Sequence, residues 1–291
     1  MSDHIPSHIL ALGGAQFGLK YGISPQAAQV SQNDVGQMLS LALQNGISTI
    51  DTARVYGNSE TVLGELNTQP FQVVSKLLHK EGMPGASDTF QTSLQTLKRN
   101  ELYAYLIHGP ENLFTMPNAW NELQEEKAAG RIQKIGYSLY KPELLLELLE
   151  KGFIPDLIQI QYNILDRRFE TLFPVLKKQQ IEIHTRSAFL QGLFFMDELP
   201  DFLHMLRDPV KQLQGEFSSK EALAAGLLSF CVNNQYIDRV VMGVQSPSEL
   251  QRNVESLISP ESNPLTGFLT PTVDSEWLLP YTWLPFLQNT N

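Results

Sequence analysis

Residues 134–161, KIGYSLYKPELLLELLEKGFIPDLIQIQ, contain a complete strand–helix–strand unit. Lys134–Ser138 and Leu157–Gln161 are short runs rich in apolar residues, as is typical of buried strands. Between them Pro142–Glu150 carries leucines at helical spacing, and its first residue, a proline, suits a first helical turn. Lys151-Gly152 is typical of a helix C-terminal stop. Two strands joined through a helix indicate parallel neighbours in one sheet.

The same alternation recurs along the chain. The predicted strands are Ile9–Leu12, Thr49–Thr52, Gln72–Lys76, Tyr103–Ile107, Lys134–Ser138, Leu157–Gln161, Glu182–Arg186 and Val240–Val244. The predicted helices are Val35–Gln44, Ser59–Leu66, Phe90–Leu97, Ala119–Ala129, Pro142–Glu150, Thr171–Lys178, Glu221–Asn233 and Pro247–Ser256. Eight such pairs predict an α/β fold, a (β/α)8 TIM barrel, as a single domain over residues 1–291.

An open doubly wound sheet is the alternative fold. Its usual signal is a G-x-G-x-x-G turn after the first strand. Here the first strand is followed by Gly13, Gly14 and Gly18, which have a different spacing. The sequence therefore favours the barrel.

Two stretches interrupt the repeat. Phe189–Ser218, after the seventh strand, is much longer than the usual connection of about 2–6 residues. The tail Ser259–Asn291 is rich in proline and aromatic residues, among them Trp277, Tyr281, Trp283 and Phe286. We expect both stretches to lie near the barrel mouth and to cover a site, although packing alone would also explain the tail.

Composition restricts the classes of partner. The chain has 21 Lys and Arg against 31 Asp and Glu, a formal charge of −10. Such a surface disfavours nucleic acid and anionic lipid. A lone cysteine, Cys231, and the lack of a long apolar run predict a cytoplasmic protein without disulfide or membrane span. We expect a monomer or a weak oligomer that binds a small molecule.

Several polar residues stand where the predicted strands end, and the C-terminal strand ends of a barrel meet at one mouth. They are Asp51, Lys76, His108, Ser138, Gln159, Arg186 and Gly243, with Tyr56 in the loop after Asp51. Each has an ordinary structural explanation, such as a solvated lysine, a capping carboxylate or a turn histidine. Together they predict an active site.

Four of these residues form a coherent chemical set. A phenol has a pKa near ~10, and an adjacent ammonium lowers it. The sequence thus predicts that Lys76 acidifies Tyr56 and that Asp51 keeps Lys76 charged. His108 can donate a hydrogen bond to an oxygen on which negative charge develops. The set suits protonation of an alkoxide and contains no hydride source, so it predicts a cofactor.

The chain resembles the aldo-keto reductases. The matching segments are Leu12–Gly18, Ile50–Glu60, Val74–Lys76, Leu106–Gly109, Ile135–Ser138, Gln159–Leu165 and Gly243–Asn253. The D-T-A-x-x-Y-G run at Asp51–Gly57, followed by a later S-K and I-H, is the most specific part. The resemblance implies a TIM barrel and reduction of a carbonyl compound with NAD(P)H.

It also implies roles for individual residues. Asp51, Tyr56, Lys76 and His108 match the catalytic tetrad, with Tyr56 as general acid. The implied coenzyme-binding residues are Gly14, Ser138, Gln159, Arg186, Leu190, Gly192, Gly243, Gln245, Arg252 and Asn253. Among these, Ser138 and Gln159 match residues that hold the nicotinamide carboxamide, and Asn253 matches an adenine contact.

Some positions depart from the family pattern. Arg186 stands where many members place an aromatic ring against the nicotinamide, and a guanidinium also stacks on flat rings. Leu139 replaces an asparagine that commonly follows the serine. Near the adenosine ribose, Glu249 disfavours a 2′-phosphate whereas Arg252 favours it. We expect NADP(H), with NAD(H) as the alternative.

The sequence leaves three functions to compare. We expect an oxidoreductase that reduces an aldehyde or ketone, with a sugar-like compound as one candidate and with Gln16, Phe17 and Arg54 facing the substrate. A coenzyme-binding regulatory protein with little turnover is one alternative, and a phosphate-handling barrel enzyme is another. The sequence has no H-E-x-x-H motif or close His/Cys cluster, so we expect no metal.

Overall fold

Eight parallel strands close into a barrel in the order in which they occur along the chain. The computed structural model describes residues 9–23, 28–258 and 273–283. The strands are β1 (Leu10–Gly13), β2 (Thr49–Asp51), β3 (Gln72–Leu78), β4 (Leu102–His108), β5 (Ile132–Leu139), β6 (Leu157–Gln161), β7 (Glu182–Arg186) and β8 (Arg239–Gly243). The barrel closes where β1 pairs with β8, with Gly13 beside Gly243. The predicted TIM barrel is confirmed.

Ten α-helices lie in the described residues. They are α1 (Ala15–Gly18), α2 (Gln32–Gln44), α3 (Ser59–Glu65), α4 (Ala86–Leu97), α5 (Asn118–Ala128), α6 (Pro142–Glu150), α7 (Phe173–Lys178), α8 (Arg207–Gly215), α9 (Lys220–Val232) and α10 (Pro247–Ile258). Of these, α1 and α8 were not predicted. None of the helices described is long and apolar enough to cross a membrane.

Helix α2 shows how local sequence determines these elements. The Ser31 side chain accepts a hydrogen bond from the backbone N–H of Asp34, which caps the first turn. Val35, Met38 and Leu39 follow at helical spacing and are buried. Burial of this face against the barrel stabilises the helix, because an isolated helix of this length is marginal in water.

Alternation along the strands divides their side chains between two environments. On β3 and β4, Val73, Leu77 and Ile107 belong to the main apolar core shared with the helices. Residues of the opposite face, Val74 and Leu106, lie in a small apolar cluster with Ala104 and Leu157. Because successive strand residues point to opposite faces, this small cluster fills the barrel interior.

The long connection after β7 is folded rather than irregular. It contains two 3₁₀ segments, Leu190–Phe195 and Asp201–Leu206, followed by α8. Their apolar side chains form a second core cluster, to which Leu278 and Trp283 of the tail also contribute. The tail is described only at 273–283, so the predicted role of Phe286 lies outside the described residues. The described tail reaches the barrel mouth, where Gln161 donates a hydrogen bond to the backbone oxygen of Leu278.

Candidate active site

A cavity of about 590 Å³ opens at the C-terminal ends of the strands. Its wall includes Gly13, Asp51 and Gly243 from strand ends and Tyr56 from the loop after β2. The segment after β7, beginning at Arg186, forms another side of the wall. The predicted strand-end residues of β2, β7 and β8, Asp51, Arg186 and Gly243, therefore meet at one cavity.

A buried ion pair lies beneath this cavity. The Lys76 Nζ atom lies 2.8 Å and 2.7 Å from the two carboxylate oxygens of Asp51, and 2.8 Å from the backbone oxygen of Thr52. The Lys76 side chain is 0% exposed. Burial lowers the pKa of Lys76, whereas the charge and hydrogen bonds of Asp51 oppose that change. These three contacts use all three N–H groups of the ammonium.

The loop that carries Tyr56 is fixed by close backbone contacts. Gly57 has φ +56°, a conformation that glycine adopts without strain. A Cβ atom on Gly18 would lie 1.8 Å from the backbone oxygen of Tyr56 and 2.3 Å from the backbone nitrogen of Ser59. Only glycine at position 18 permits this approach. The loop that carries Tyr56 therefore packs closely against α1.

A second set of contacts ties the same loop to β3. The Arg54 backbone N–H donates to the Lys76 oxygen at 2.9 Å. The Arg54 guanidinium pairs with Glu60 at 2.8 Å, and Ser75 donates to the same carboxylate at 2.6 Å. The expectation that Arg54 faces the substrate is wrong, because its charge is engaged by Glu60. Phe17, expected at the same place, is 0% exposed in the main core.

The Tyr56 ring lies between an ammonium and an imidazole. Lys76 Nζ lies 4.8 Å from the ring centroid, and the ring of His108 lies at 6.4 Å and perpendicular to it. Burial raises the pKa of Tyr56, and so does the charge of Asp51, whereas Arg186 opposes them. Lys76 is paired with Asp51, and Arg186 is a further cation that favours the phenolate. That Lys76 acidifies the phenol stays a prediction.

His108 is a neutral imidazole at physiological pH. Burial lowers its pKa to about 3, and the charges of Lys76 and Arg186 act in the same direction. A neutral imidazole retains one N–H donor. His108 is therefore suited to donate a hydrogen bond to an oxygen without transferring a proton.

Arg186 brings a positive charge to the cavity, and one nitrogen of its guanidinium, Nη2, has no hydrogen-bond partner among the described residues. Its guanidinium carbon lies 4.0 Å from the centroid of the Tyr140 ring, a cation–π contact. Tyr140 in turn contacts Tyr281 of the tail, edge to face, at 4.8 Å between centroids. The guanidinium is held on one face by an aromatic ring.

Among the buried polar atoms without a hydrogen-bond partner in the described structure are Ser138 Oγ, Gln159 Oε1, Gln161 Oε1 and Arg186 Nη2. The Gln159 amide nitrogen donates to Asp51 at 2.6 Å, which fixes the side chain. Buried polar atoms are normally paired, so an unpaired set indicates a ligand with its own donors and acceptors. A carboxamide, which has both, fits this set.

The remaining predicted residues are distributed around the cavity. Gly192, Gly243 and Gln245 line it. Gly14 lies behind Asp51, to whose backbone oxygen its N–H donates at 2.7 Å. Six of the predicted coenzyme-binding residues are not in the cavity wall. Besides Gly14, they are Ser138, Gln159 and Asn253, which are buried, Leu190, which is 0% exposed in the second core cluster, and Arg252, which is exposed on α10. The Asn253 amide contacts the sulfur of Met242 at 3.5 Å, and its adenine contact stays a prediction.

Sequence reasoning missed several cavity residues. Tyr21 lines the wall and accepts a hydrogen bond from Gln191 at 3.1 Å. Asp197 and Glu198, from the segment between β7 and α9, and Lys220, the first residue of α9, also line it. The length of that segment was the only signal for them, because their placement depends on how the segment folds.

Comparison with known proteins agrees with this architecture. The model of the aldo/keto reductase family matches residues 9–263. The oxidoreductase sirO of Leptosphaeria maculans is 26% identical over 216 residues, covering 68% of this chain and 64% of that protein. An aldo-keto reductase of Mycobacterium sp. (strain KMS) is 31% identical over 170 residues, covering 54% of this chain and 57% of that protein. The matches thus span less than two thirds of either relative.

A solved structure extends the likeness to the whole fold. Aldo-keto reductase AKR11C1 from Bacillus halodurans, in its holo form, superposes with a TM-score of 0.71 at 21% sequence identity. The superposition covers 93% of this chain and 90% of that one.

Proposed function

Because this chain belongs to the aldo/keto reductase family, we propose that it reduces an aldehyde or ketone to an alcohol with a reduced nicotinamide coenzyme. One observation carries the proposal. The buried Lys76–Asp51 pair lies under the Tyr56 ring, which is part of the cavity wall, and His108 lies beside that ring.

Tyr56 and His108 share the work on the substrate oxygen. A carbonyl oxygen within reach of both accepts a hydrogen bond from the neutral imidazole, which stabilises negative charge as it develops. The Tyr56 O–H bond then breaks, and its proton passes to that oxygen. Arg186 favours the phenolate that is left, and the phenolate regains a proton from solvent after the product leaves.

Residues around the mouth are suited to hold the coenzyme. Ser138, Gln159 and Arg186 offer their unpaired polar atoms to a nicotinamide carboxamide. Gly192 and Gly243 lie in the cavity wall after β7 and β8, where barrel enzymes commonly bind phosphate groups. A bound reduced nicotinamide would supply the hydride that the carbonyl carbon receives. From its family pattern the sequence favours NADP(H).

The rest of the wall supports a hydroxylated substrate. Gln16, Tyr21 and Gln191 line the cavity and combine hydrogen-bonding groups with an aromatic face. Such a surface suits a small sugar-like aldehyde or ketone better than a plain hydrocarbon aldehyde.

A screen of carbonyl compounds tests the proposal. Purified protein is incubated with NADH or NADPH and a panel of aldehydes and ketones, and the loss of coenzyme absorbance is compared with a reaction lacking carbonyl compound. Oxidation with at least one compound is expected. Coenzyme binding, detected by tryptophan fluorescence, without turnover across the panel would contradict the proposal and favour a regulatory protein. Absence of binding would favour a different barrel enzyme.

A further inference from the structure

The wall of the cavity that contains Tyr56 also contains residues at the start of α10. If the nicotinamide lies at Tyr56, the rest of the dinucleotide must follow the cavity away from that residue. The wall continues past Gly243 to Gln245 and Glu249. In TIM barrels the loops after the seventh and eighth strands receive phosphate groups. The adenosine half of a bound coenzyme would then be held by residues at the beginning of α10.

Glu249 engages the backbone there with its own carboxylate. One oxygen, Oε2, accepts a hydrogen bond from the backbone N–H of Gln245 at 2.7 Å. The backbone N–H of Glu249 donates to the Ser246 hydroxyl at 3.1 Å. Free amides at a helix start are the groups that would bind an incoming phosphate. Here the backbone N–H of Gln245 already donates to the carboxylate of Glu249.

The other carboxylate oxygen of Glu249, Oε1, makes no hydrogen bond to any described residue, and the residue lines the cavity. A carboxylate accepts hydrogen bonds from hydroxyl groups and repels phosphate. In dinucleotide-binding enzymes an acidic side chain at the ribose accepts from the 2′-hydroxyl of NAD, whereas arginine accommodates the 2′-phosphate of NADP.

Neighbouring charges add to this selection. Apart from the groups near Tyr56, the charged residues described in the cavity wall are Asp197, Glu198, Lys220 and Glu249. Lys220 is already paired with Asp197 at 2.9 Å. Three carboxylates and one ammonium give a formal charge of −3 + 1 = −2. This net negative charge of the cavity wall disfavours a dianionic phosphate.

Arg252 is the cation that could oppose the repulsion of a phosphate by these carboxylates. It lies one turn after Glu249 on α10, is exposed, and does not line the cavity. Burial raises the pKa of Glu249, and Arg252 acts against that rise, so the guanidinium helps keep the carboxylate ionised.

We propose that the enzyme uses NAD(H) in preference to NADP(H), with Glu249 selecting the unphosphorylated adenosine ribose. This inference rests on the proposed coenzyme-dependent function and replaces the expectation of NADP(H) that the family pattern gave. Glu249 is a specificity-determining residue: its free carboxylate oxygen accepts from the ribose hydroxyls and its charge excludes the 2′-phosphate.

Binding measurements test this without reference to turnover. NADH and NADPH are titrated separately into the purified protein by tryptophan fluorescence or calorimetry. We expect NADH to bind at least about tenfold more tightly. In Glu249→Gln the amide oxygen can still accept from Gln245 but the charge is gone. NADPH affinity should then rise about tenfold while NADH affinity changes less than about threefold.

Two further variants serve as controls. Glu255→Gln removes an equal charge from an exposed position of the same helix and should leave the preference unchanged. Arg252→Ala should not weaken the binding of NADPH relative to the binding of NADH. Titration with ADP-ribose and its 2′-phosphorylated form isolates the adenosine half and should repeat the preference.

The possible failures are distinct. Tighter binding of NADPH by the wild type, or a selective loss of NADPH affinity in Arg252→Ala, overturns the inference and leaves the proposed reductase function standing. An unchanged preference in Glu249→Gln overturns the role of Glu249. Binding of neither coenzyme overturns the proposed function itself.

Discussion

The ammonium of Lys76 and the carboxylate of Asp51 form an ion pair inside the barrel, with Nζ at 2.8 Å and 2.7 Å from the two oxygens. The third N–H of the ammonium donates a hydrogen bond to the backbone oxygen of Thr52, which precedes Gly57 by five residues. Lys76 therefore fixes the beginning of the loop that carries Tyr56. Its position also places a positive charge 4.8 Å from the centroid of the phenol ring.

The pair is predicted to matter for stability as a unit. Lys76→Met leaves the Asp51 carboxylate buried without its partner, which should lower the free energy of unfolding by about 3–5 kcal/mol. The double variant Asp51→Asn/Lys76→Met removes both charges and should recover most of that loss. Urea denaturation measures both variants. A Lys76→Met protein as stable as the wild type would show that the Asp51 carboxylate is not buried as described.

Glycine at position 18 is predicted to be required for catalysis. In Gly18→Ala the new Cβ meets backbone atoms of Tyr56 and Ser59, so the loop must shift. We expect a loss of about 1–3 kcal/mol in stability and a large fall in kcat. The matched control is Gly215→Ala at the end of α8, where an added Cβ has no atom within 4 Å. Equal effects of the two substitutions on kcat would argue against a precise position for Tyr56.

His108 is predicted to act as a neutral donor throughout the physiological range. Because its pKa is lowered to about 3, the imidazole becomes charged only in strong acid. The kcat/KM of carbonyl reduction should therefore show no inflection from this residue between about pH 5 and about pH 8. His108→Phe should lower kcat by about 10²-fold without altering the shape of the profile. An inflection near ~6.5 that disappears in this variant would mean that His108 titrates.

The opposite end of the barrel contains a charged cluster around Glu182. This carboxylate accepts from Tyr103 at 2.7 Å and His184 at 3.0 Å, and it pairs with Lys134. Burial acts to raise the pKa of Glu182, but the contacts of His184, Lys134 and Tyr103 outweigh it and hold the pKa well below its usual value.

A group with a lowered folded-state pKa contributes stability above its unfolded pKa, near ~4.3 for glutamate, and loses that contribution as the pH falls. Glu182→Gln should therefore be less stable than the wild type by about 1–3 kcal/mol near neutral pH, and the difference should shrink in acid. Urea denaturation at about pH 7 and about pH 4 measures this. Glu255→Gln, at an exposed position, is the control; a difference that grows in acid would contradict the assignment.

Much of the fold follows from periodicity. All eight strands lie where the sequence predicts them, with boundaries differing by a few residues, as in β8, predicted as Val240–Val244 and observed as Arg239–Gly243. Helix α8 was missed because it is short and contains Pro209, so its apolar spacing at Val210 and Leu213 is a weak signal. Its burial depends on the tail and on the second core cluster, which are distant in sequence.

Those residues of the candidate site that lie at the C-terminal ends of strands could be predicted from the sequence. Lys76 and Asp51 meet because parallel strands bring their C-terminal ends to one mouth. The balance of charges at Tyr56 was not predictable, since it depends on which acceptors Lys76 contacts. Tyr21 was missed for a similar reason: its contact with Gln191 joins two loops whose positions no local pattern specifies.

The central claim is that Tyr56 donates the proton to the substrate oxygen. Steady-state kinetics of Tyr56→Phe, combined with a coenzyme titration of the same variant, test it most directly. Tyr236→Phe, which removes a hydroxyl from a tyrosine packed on the outer core, is the control. We expect Tyr56→Phe to bind coenzyme within about twofold of the wild type while kcat for the best carbonyl substrate falls by about 10³-fold or more, and Tyr236→Phe to behave as the wild type. A Tyr56→Phe enzyme that keeps kcat within about tenfold of the wild type would contradict the role of this phenol as proton donor.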